Sequence, residues 1–463
     1  SGNGNSSALN EIAFHIMQSN GGSISINEAR RESVRCILSG PAGGVIGSAY
    51  IGHISTFYVN KNNKQKPDIQ SSKQKDKIIT FDMGGTSTDV SLIDGKPALT
   101  TESVISGCPV NLPMLDIHTI GAGGGSIAYM DIGGVLRVGP QSAGADPGPA
   151  CYGLGDLPTV TDANLVLGRM LPEAFLGGQL PLNLHRAYSV IKVLGDKLGL
   201  PVEKSALGII KIVNAHMERA LRVISVERGY DPREFTLLSF GGAGGLHACS
   251  LAQNLGVRLV LIPPMASTLS AFGMLVADVV KDYSQTVMMV NDKPLKEIES
   301  KFMKLENQGR AEILSMGFPT GKIIVERNLD IRYQGQSYEI SVPYSNSFIP
   351  NFHSLHKHNY GYAKSDSLIE IVNLRVKVIG KVSPPQLVAQ NQKRKDPKKA
   401  IIKYTGVYFM KLVNTPVFCA DKLKYGNQIS GPALIVRSDT TVLLPPSTIA
   451  NVDCFGNLLV EVS

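Results

Sequence analysis

Apolar and polar residues alternate in two different ways along the chain, and the change falls near residue 285. Before that point, short apolar runs predict strands at 12–17, 34–38, 78–81, 90–93 and 235–240. Helical spacing predicts helices at 26–31, after Ser39, at about 184–198 and 204–227, and at 246–255. Small residues at positions 42–44, 47 and 48 would let the helix after Ser39 pack very close to a neighbour. Strands that alternate with helices indicate tight α/β packing.

After about residue 285 the pattern has a period of two. One helix at 295–316 precedes alternating segments, which predict antiparallel strands within 329–342, 369–378, 407–417 and 433–452. Glycine, proline and asparagine separate these segments. We therefore expect an antiparallel β domain, with a disordered polar stretch at 383–400.

A polar, glycine-rich turn joins the strands at 78–81 and 90–93. It presents Asp82 and Asp89 at its two ends, with Gly84, Gly85 and three hydroxyl side chains between them, those of Thr86, Ser87 and Thr88. The glycines allow a phosphate to approach the backbone, the N–H groups and hydroxyls can donate to it, and either aspartate can hold Mg²⁺. The alternative is an ordinary tight hairpin. Neither the Walker loop nor the dinucleotide fingerprint fits, because both require a helix after the glycines.

A second glycine-rich turn leads from the strand at 235–240 into the helix at 246–255. Gly241, Gly242, Gly244 and Gly245 lie in it, and His247 follows. Free N–H groups at a helix start can face a nucleotide, whereas the alternative is a turn that only needs close packing.

Asp116 and His118 are two residues apart and therefore lie on one face of a predicted strand. With His247 they could form a metal or acid/base site near the phosphates, although two ligands two residues apart are a weak metal signal and a hydrogen-bonded structural pair is the stronger alternative. Asp162 and Asn164 could orient a substrate or an ion, or could be a helix cap and its neighbour.

Composition narrows the class of protein. The 463 residues, of which 43% are hydrophobic and 18% charged, are enough for two or three domains. No apolar run approaches the ~20 residues of a membrane span and no signal peptide is visible, so a cytoplasmic protein without membrane contact is expected. The six cysteines form no C-x-x-C pair and are expected to be reduced. The net charge of +8 comes largely from lysine-rich stretches without aromatic residues, which argues against nucleic-acid binding.

Five motifs occur together and in order. They are Ser39–Gly47, Ile120–Ser126, Val138–Tyr152, Thr159–Asn164 and Phe240–His247. With the Asp82–Asp89 hairpin they resemble the hydantoinase A / 5-oxoprolinase family, which includes the ATP-using subunits of acetone and acetophenone carboxylases. The hairpin itself is similar to the second phosphate loop of the actin, sugar kinase and Hsp70 superfamily.

The resemblance implies a fold and a division into domains. The fold class is α/β, with an incomplete nucleotide-binding core like that of actin, sugar kinases and Hsp70 (ribonuclease H-like), followed by an antiparallel β-rich C-terminal domain. The expected parts are a remnant of the first core domain with its crossing helix (1–53), a flexible lysine-rich insertion (54–77), the nucleotide-binding core (78–284) and the C-terminal domain (285–463).

The resemblance also implies an activity. The chain is expected to be the ATP-binding subunit of an ATP-dependent hydrolase that opens hydantoin, 5-oxoproline or a related cyclic amide by phosphorylating its carbonyl oxygen. The alternatives are the ATP-using subunit of an acetone-type carboxylase and a non-catalytic remnant. The expected cofactors are ATP and Mg²⁺, and a second divalent metal is a further candidate.

Roles follow for particular residues. Catalytic roles are expected for Asp82, Asp89, His118 and His247. The expected metal ligands are Asp82, Asp89, Asp116 and His118. The expected nucleotide-binding residues are Gly84, Gly85, Thr86, Ser87, Thr88, Gly241, Gly242, Gly244 and Gly245.

The sequence departs from the family in one respect. The pattern Asp-x-Gly-Gly-Thr-x-Thr-Asp occurs once, at Asp82–Asp89, whereas the family has an earlier copy in a separate N-terminal region. We therefore expect another chain or segment to supply the first phosphate loop and expect this chain alone to be inactive. The other expected partners are a hydantoinase B-like subunit, a small cyclic amide substrate and further copies in an oligomer.

Overall fold

The computed structural model describes residues 14–62, 77–100, 103–105, 108–110, 112–290, 295–392 and 395–462. The chain forms two compact units. The first contains the described part of Ser1–Gln18, with Gly22–Cys36 and Ala277–Pro384. The second contains Ser19–Gly21, Ile37–Val276 and the described part of Pro385–Ser463.

The helices, in chain order, are α1 (Ile26–Arg31), α2 (Ser39–Asn62), α3 (Val160–Val166), α4 (Leu184–Leu198), α5 (Val202–Ile224), α6 (Ala248–Leu255), α7 (Leu269–Val276), α8 (Leu295–Ser315) and α9 (Phe348–Tyr360).

The strands, in chain order, are β1 (His15–Met17), β2 (Ser23–Ser25), β3 (Lys77–Met83), β4 (Thr88–Asp94), β5 (Lys96–Pro97), β6 (Leu99–Thr100), β7 (Ser103–Ile105), β8 (Cys108–Val110), β9 (Met114–Leu115), β10 (Ile117–Ile120), β11 (Ser126–Met130), β12 (Leu136–Ser142), β13 (Thr236–Phe240), β14 (Leu259–Ile262), β15 (Val279–Val290), β16 (Ile323–Tyr333), β17 (Ile340–Pro343), β18 (Ile369–Gly380), β19 (Ile401–Tyr408), β20 (Leu412–Cys419), β21 (Gln428–Ser430), β22 (Ala433–Val436), β23 (Thr441–Leu444), β24 (Thr448–Val452) and β25 (Leu458–Val462).

A mixed sheet forms the centre of the second unit. Its strand order is β10-β4-β3-β13-β14-β25-β24-β21, with β5 added beside β4. The β3–β13 and β13–β14 pairs are parallel, and the others are antiparallel. Because helices cover the parallel strands, these strands are apolar on both faces, as the buried Ile79, Phe81 and Val260 illustrate. The α/β class predicted from the sequence is confirmed for this unit.

The helix predicted after Ser39 is α2, and it packs closely against α7. A Cβ added at Gly43 would lie 2.5 Å from the carbonyl oxygen of Ser270, and one added at Gly47 would lie 2.7 Å from that of Leu269. The small residues therefore allow the close approach that the sequence predicted.

The first unit is built on a second sheet. Its strand order is β1-β2-β15-β18-β16-β17, and its long strands are antiparallel. Phe302 of α8, Phe352 of α9 and Leu374 of β18 are fully buried in its core. The period-two pattern after residue 285 thus produces the expected antiparallel strands.

Residues beyond 384 do not continue that sheet. Strands β19, β20, β22 and β23 form a four-stranded sheet in the second unit, and β21, β24 and β25 extend its central sheet. This grouping differs from the expected division at residue 285, because the apolar β25 pairs antiparallel with β14. The insertion expected at 54–77 lies mostly outside the described residues. Within the polar stretch at 383–400, the N–H of Gln390 donates to the carbonyl of Cys454 at 2.8 Å.

The strand predicted at 34–38 is wrong. Residues Ser33–Cys36 form a 3-10 turn instead, and Val34 and Ile37 are exposed. Arg35, in the middle of the short apolar run, forms an ion pair with Glu32 three residues earlier, which favours a turn. Across the described ranges no helix is long and apolar enough to span a membrane.

Candidate functional site

The predicted hairpin is formed by β3 and β4. The Cα atoms of Asp82 and Asp89 are opposite each other in the ladder, and Met83 pairs with Thr88. The N–H of Gly84 donates to the carbonyl of Ser87 at 3.1 Å and closes the turn. Thr88 is buried, and its hydroxyl donates to the carbonyl of Ala122 at 2.5 Å. The Thr88 hydroxyl thus holds the structure together and does not face a ligand.

Asp82 and Asp89 share one face of the sheet with Thr119 of the neighbouring strand β10. Thr119 pairs with Asp89 in the ladder, and its hydroxyl donates to the Asp89 carboxylate. Burial, together with the smaller effect of the charge of Asp89, raises the pKa of Asp82 to about 7. Burial also raises the pKa of Asp89, against which the Thr119 hydrogen bond acts.

Two facing, partly buried carboxylates repel each other unless a cation or a proton lies between them. Mg²⁺ is commonly held in this way, by one or two carboxylates, phosphate oxygens and waters. The residues present therefore fit a magnesium ion that accompanies a phosphate. In the described part of the chain, no three His, Cys, Asp or Glu side chains are grouped as ligands for a metal held by the protein alone.

The tip of the hairpin offers hydrogen-bond donors. Among the described residues, the backbone N–H groups of Gly85, Thr86 and Ser87 have no hydrogen-bond acceptor, and Gly85 and Thr86 are exposed. Successive free N–H groups in a turn form a concavity that binds anions. The tip can therefore bind a phosphate beside the two carboxylates.

A glycine-rich loop at 121–126 packs against the hairpin tip and holds it by hydrogen bonds. The N–H groups of Gly124 and Gly125 donate to the carbonyls of Gly84 and Gly85 at 3.0 and 2.6 Å. A Cβ added at Gly123 would lie 2.7 Å from the backbone of Gly85. Glycine is therefore required at 123, because any side chain would displace the tip. The loop thus binds the carbonyl groups of the hairpin tip and leaves the N–H groups of the tip free for a ligand.

The second glycine-rich turn starts beside Asp82, because β13 runs parallel to β3 and Phe240 pairs with Asp82. Gly241 has a φ of +81°, and a Cβ there would lie 2.4 Å from Asp82 Oδ1. Gly242 is exposed, and the nearest atom to a Cβ built there is 4.0 Å away. Gly241 is therefore packed against Asp82 with no room for a side chain, whereas the exposed Gly242 borders open space.

The remaining two glycines of this turn have a packing role. A Cβ at Gly244 would lie 2.8 Å from Ser239 Oγ, and one at Gly245 would lie 2.7 Å from the carbonyl of Thr441. Both are buried. Of the four glycines expected to bind the nucleotide, only Gly242 is exposed; Gly241, Gly244 and Gly245 are buried and closely packed.

His247 is buried, and both its ring nitrogens are used. Nδ1 is 2.7 Å from Asn214 Oδ1, and Nε2 is 3.3 Å from Asn164 Nδ2. Burial, helped by the charge of Arg169, lowers the pKa of His247 to about 3. The imidazole is therefore neutral, with Nδ1 donating and Nε2 accepting. None of its hydrogen bonds is with the carboxylate pair, so the expected catalytic role gains no geometric support.

Asp116 and His118 do not join the carboxylate pair either. The Asp116 carboxylate forms an ion pair with Arg228, with one N–O distance of 2.9 Å. His118 pairs with Val90 in the ladder, one residue out of step with Asp89, so its side chain lies on the opposite face of the sheet. The four residues expected to bind metal are thus divided, and only Asp82 and Asp89 face each other.

Asp162 takes part in capping a helix whose N-cap residue is Thr159. Thr159 and Asp162 form a capping box at the start of α3, and Asp162 also accepts the N–H groups of Ala150 and Cys151. Thr161, in the same turn, donates twice to the carbonyl of Gly124. Helix α3 therefore anchors the loop that supports the phosphate hairpin.

Thr119 and the glycines 123–125 are contacts that the sequence reasoning did not assign. Alternation along β10 could have suggested Thr119, since it follows His118 and must point to the other face. The close fit of the glycine loop under the hairpin depends on tertiary structure and has no local signal.

Comparison with known families gives two matches that together cover most of the chain. Residues 4–59 and 68–283 match the hydantoinase/oxoprolinase family. Residues 288–459 match the hydantoinase/oxoprolinase C-terminal domain.

Three curated relatives are similar to the chain. An uncharacterized protein of Methanocaldococcus jannaschii is 40% identical over 97% of this chain and 65% of its own length. The caprolactamase subunit alpha of Pseudomonas jessenii is 38% identical over 82% of this chain and 57% of its own length. The 5-oxoprolinase of Dictyostelium discoideum is 35% identical over 96% of this chain and 36% of its own length. The chain thus spans less than two thirds of these relatives.

Two solved structures share the fold. A nucleotide-free acetone carboxylase, from a study of ATP-dependent acetone carboxylation, has a TM-score of 0.81 at 25% identity, over 97% of this chain and 64% of its own. The ATP-dependent caprolactamase of Pseudomonas jessenii has a TM-score of 0.78 at 34% identity, over 96% of this chain and 65% of its own.

Proposed function

The chain belongs to the hydantoinase/oxoprolinase family, and on that premise we propose that it is the ATP-binding part of a hydrolase that opens cyclic amides. The observation that carries the proposal is the hairpin with facing Asp82 and Asp89 beside the free N–H groups of 85–87. The relatives named caprolactamase and 5-oxoprolinase support the substrate class.

Opening an unstrained amide ring in water is slow because the amide carbonyl is a poor electrophile and its oxygen a poor leaving group. In the proposed reaction that carbonyl oxygen takes the terminal phosphoryl group of ATP and ADP leaves; water then adds to the carbon, and the ring C–N bond breaks to give an amine and an acyl phosphate. A second water splits the acyl phosphate into a carboxylate and phosphate. The chain must therefore position the phosphates and offset their charge.

The residues of this chain divide that work. Asp82 and Asp89 would hold Mg²⁺, and the N–H groups of Gly85, Thr86 and Ser87 would donate to phosphate oxygens. Gly242 would leave the backbone open where the nucleotide passes, and Gly241 packs against Asp82 beside it. Preorganised donors of this kind stabilise developing charge without reorganisation during the reaction.

We also propose that the second unit is the nucleotide-binding core of an actin-like fold. In that fold the terminal phosphate is held between two hairpins, of which this chain contains one. Another segment or chain would supply the other, and a hydantoinase B-like partner would hydrolyse the activated amide. The chain alone should then bind nucleotide weakly and have no ATPase activity.

A second candidate function is ATP-dependent carboxylation of a ketone, in which the same hairpin would activate bicarbonate or an enolate. The structural similarity to acetone carboxylase, with a TM-score of 0.81, supports this second function. Both functions use the same phosphate contacts, so the organic substrate must distinguish them.

The test is ATP turnover by the chain combined with a segment carrying the first phosphate loop and with the partner subunit. Phosphate release would be measured with hydantoin, 5-oxoproline, caprolactam, or acetone plus bicarbonate. We expect a cyclic amide to stimulate release and Asp82→Asn to abolish it. Stimulation by acetone alone would select the carboxylase, and release that Asp82→Asn leaves unchanged would refute the assignment of the hairpin.

A further inference from the structure

Arg169 is a buried cation without a counter-ion. Only 7% of the residue is exposed, and among the described residues no hydrogen bond or ion pair of its guanidinium is found. Its Nε is completely enclosed. Burial lowers the pKa of Arg169 to about 10. A desolvated guanidinium is unfavourable unless an anion accompanies it.

Other arginines of the same unit show what is missing. The guanidinium of Arg186 pairs with Asp156 at 2.9 Å and also donates to the carbonyl of Gly155. Arg437 is also largely buried, but the charges of Asp439 and Asp421 act on it. For Arg169, burial is the one influence on the pKa, and no carboxylate charge contributes.

The surroundings of Arg169 are polar and rigid. Its backbone N–H donates to the carbonyl of Asn164 at 3.0 Å, and its charge acts on His247. Asn164 is 1% exposed, its Nδ2 faces His247, and its Oδ1 is enclosed without a partner. The arginine is therefore held by packing and by its backbone, and among the described residues no group accepts a hydrogen bond from its guanidinium.

We infer that Arg169 forms an oxyanion subsite that takes a carboxylate. A guanidinium presents donors in a planar fork that matches a carboxylate or phosphate. Ring opening of any cyclic amide produces a carboxylate, so the subsite would take this group of the product, or of a substrate that already carries one. This role rests on the proposed function; the binding of the anion does not.

The position of Arg169 in the chain agrees with this role. Thr161, at the first turn of α3, holds the glycine loop under the phosphate hairpin. Asn164 lies three residues further along the same helix, about 4.5 Å along its axis, and bonds to Arg169. The subsite and the hairpin are thus attached to one short helix.

The test is thermal unfolding of the full chain in sodium acetate and in sodium phosphate, each compared with sodium chloride at equal ionic strength. A ligand that binds the native state raises Tm by mass action. We expect acetate to raise the wild-type Tm above the chloride value. A phosphate response supports this site only where the neutral Arg169 variants lose it, because the hairpin N–H groups can also bind phosphate; such a loss without an acetate response would identify the ligand as a phosphoryl group.

Variants locate the effect. Arg169→Met replaces the charge with an apolar side chain of similar length; it should not lower Tm in chloride and should lose the anion response. Arg169→Gln is the second neutral variant, should Met fail to fold. Arg186→Met is the matched control, because it removes a paired arginine and should keep the response.

Two results would overturn the inference. One is a wild-type Tm that responds to acetate no more than to chloride; the other is an acetate response that the neutral Arg169 variants retain. The outcome is separate from that for the nucleotide site. Asp82→Asn should keep the acetate response, and failure of the chain to bind Mg-ATP would leave it unchanged.

Discussion

Replacing Asp82 by asparagine should stabilise the chain without nucleotide, and the gain should depend on pH. The pKa of Asp82 rises from 3.8 to about 7 because of burial and the charge of Asp89. The difference of about 3 corresponds to about 4 kcal/mol. A carboxyl group with a raised pKa in the folded state favours folding when protonated. Its contribution is therefore fully present below about pH 4 and is lost as pH rises to about 7 and above.

Asparagine cannot ionise, so the Asp82→Asn chain should not undergo this loss. We expect equal free energies of unfolding for wild type and variant near pH 4, and a variant more stable by up to about 4 kcal/mol at pH 8. Urea unfolding at a series of pH values measures the difference. Asp94→Asn is the control, because Asp94 is exposed at the far end of β4.

Magnesium with nucleotide should reverse this order once the segment that carries the first phosphate loop is added, since the chain alone is expected to bind nucleotide weakly. The cation would relieve the repulsion in wild type, whereas Asp82→Asn should gain little from Mg-ATP. A stability difference between wild type and variant that is the same at pH 4 and pH 8 would refute the reasoning, since it would mean that burial and the charge of Asp89 do not raise the pKa of Asp82 in the folded chain.

Three further predictions concern the supports of the hairpin. Gly241→Ala should destabilise the chain and weaken Mg-ATP binding, because its methyl group meets a carboxylate oxygen at 2.4 Å; Gly242→Ala, which has no close neighbour, should leave unfolding by urea unchanged. His247→Gln should keep stability and nucleotide affinity, since glutamine can also donate and accept, whereas His247→Leu should cost about 1–3 kcal/mol for each asparagine left unpaired; equal losses in urea unfolding would contradict this. In the completed enzyme, with the first phosphate loop and the partner subunit added, Gly123→Ala should raise the KM for Mg-ATP at least about tenfold, which corresponds to the loss of one phosphate contact. Gly40→Ala, whose methyl group meets open space, should leave this KM unchanged.

Local patterns predicted much of the fold. The hairpin, the strand before Gly241, the helix after Ser39 and the long helices all lie close to their predicted positions, because each has a clear period or glycine signal. The strand expected at 34–38 became a 3-10 turn, because a run of two or three apolar residues near a charged pair does not specify a conformation.

The site was less predictable than the fold. The facing of Asp82 and Asp89 follows from the hairpin register, and that part could be predicted. His118 was assigned to the same site because it shares a strand face with Asp116 and precedes the glycine turn at 121–126. In the ladder it pairs with Val90, one step from Asp89, and this places its side chain on the other face. The missing partner of Arg169 cannot be read from sequence at all, because it depends on every group that folds around the arginine.

Strand β25, near the end of the chain, pairs with β14 and covers an edge of that strand that would otherwise be open. Leu261 and Ile262 are buried beside strands that lie about 200 residues later. A fragment that stops at residue 384 would present β14 as an open apolar edge, and open edges recruit strands from other molecules. Such a fragment should aggregate even though it contains every residue of the phosphate hairpin. Dissection of this protein into smaller pieces should therefore keep the last strand.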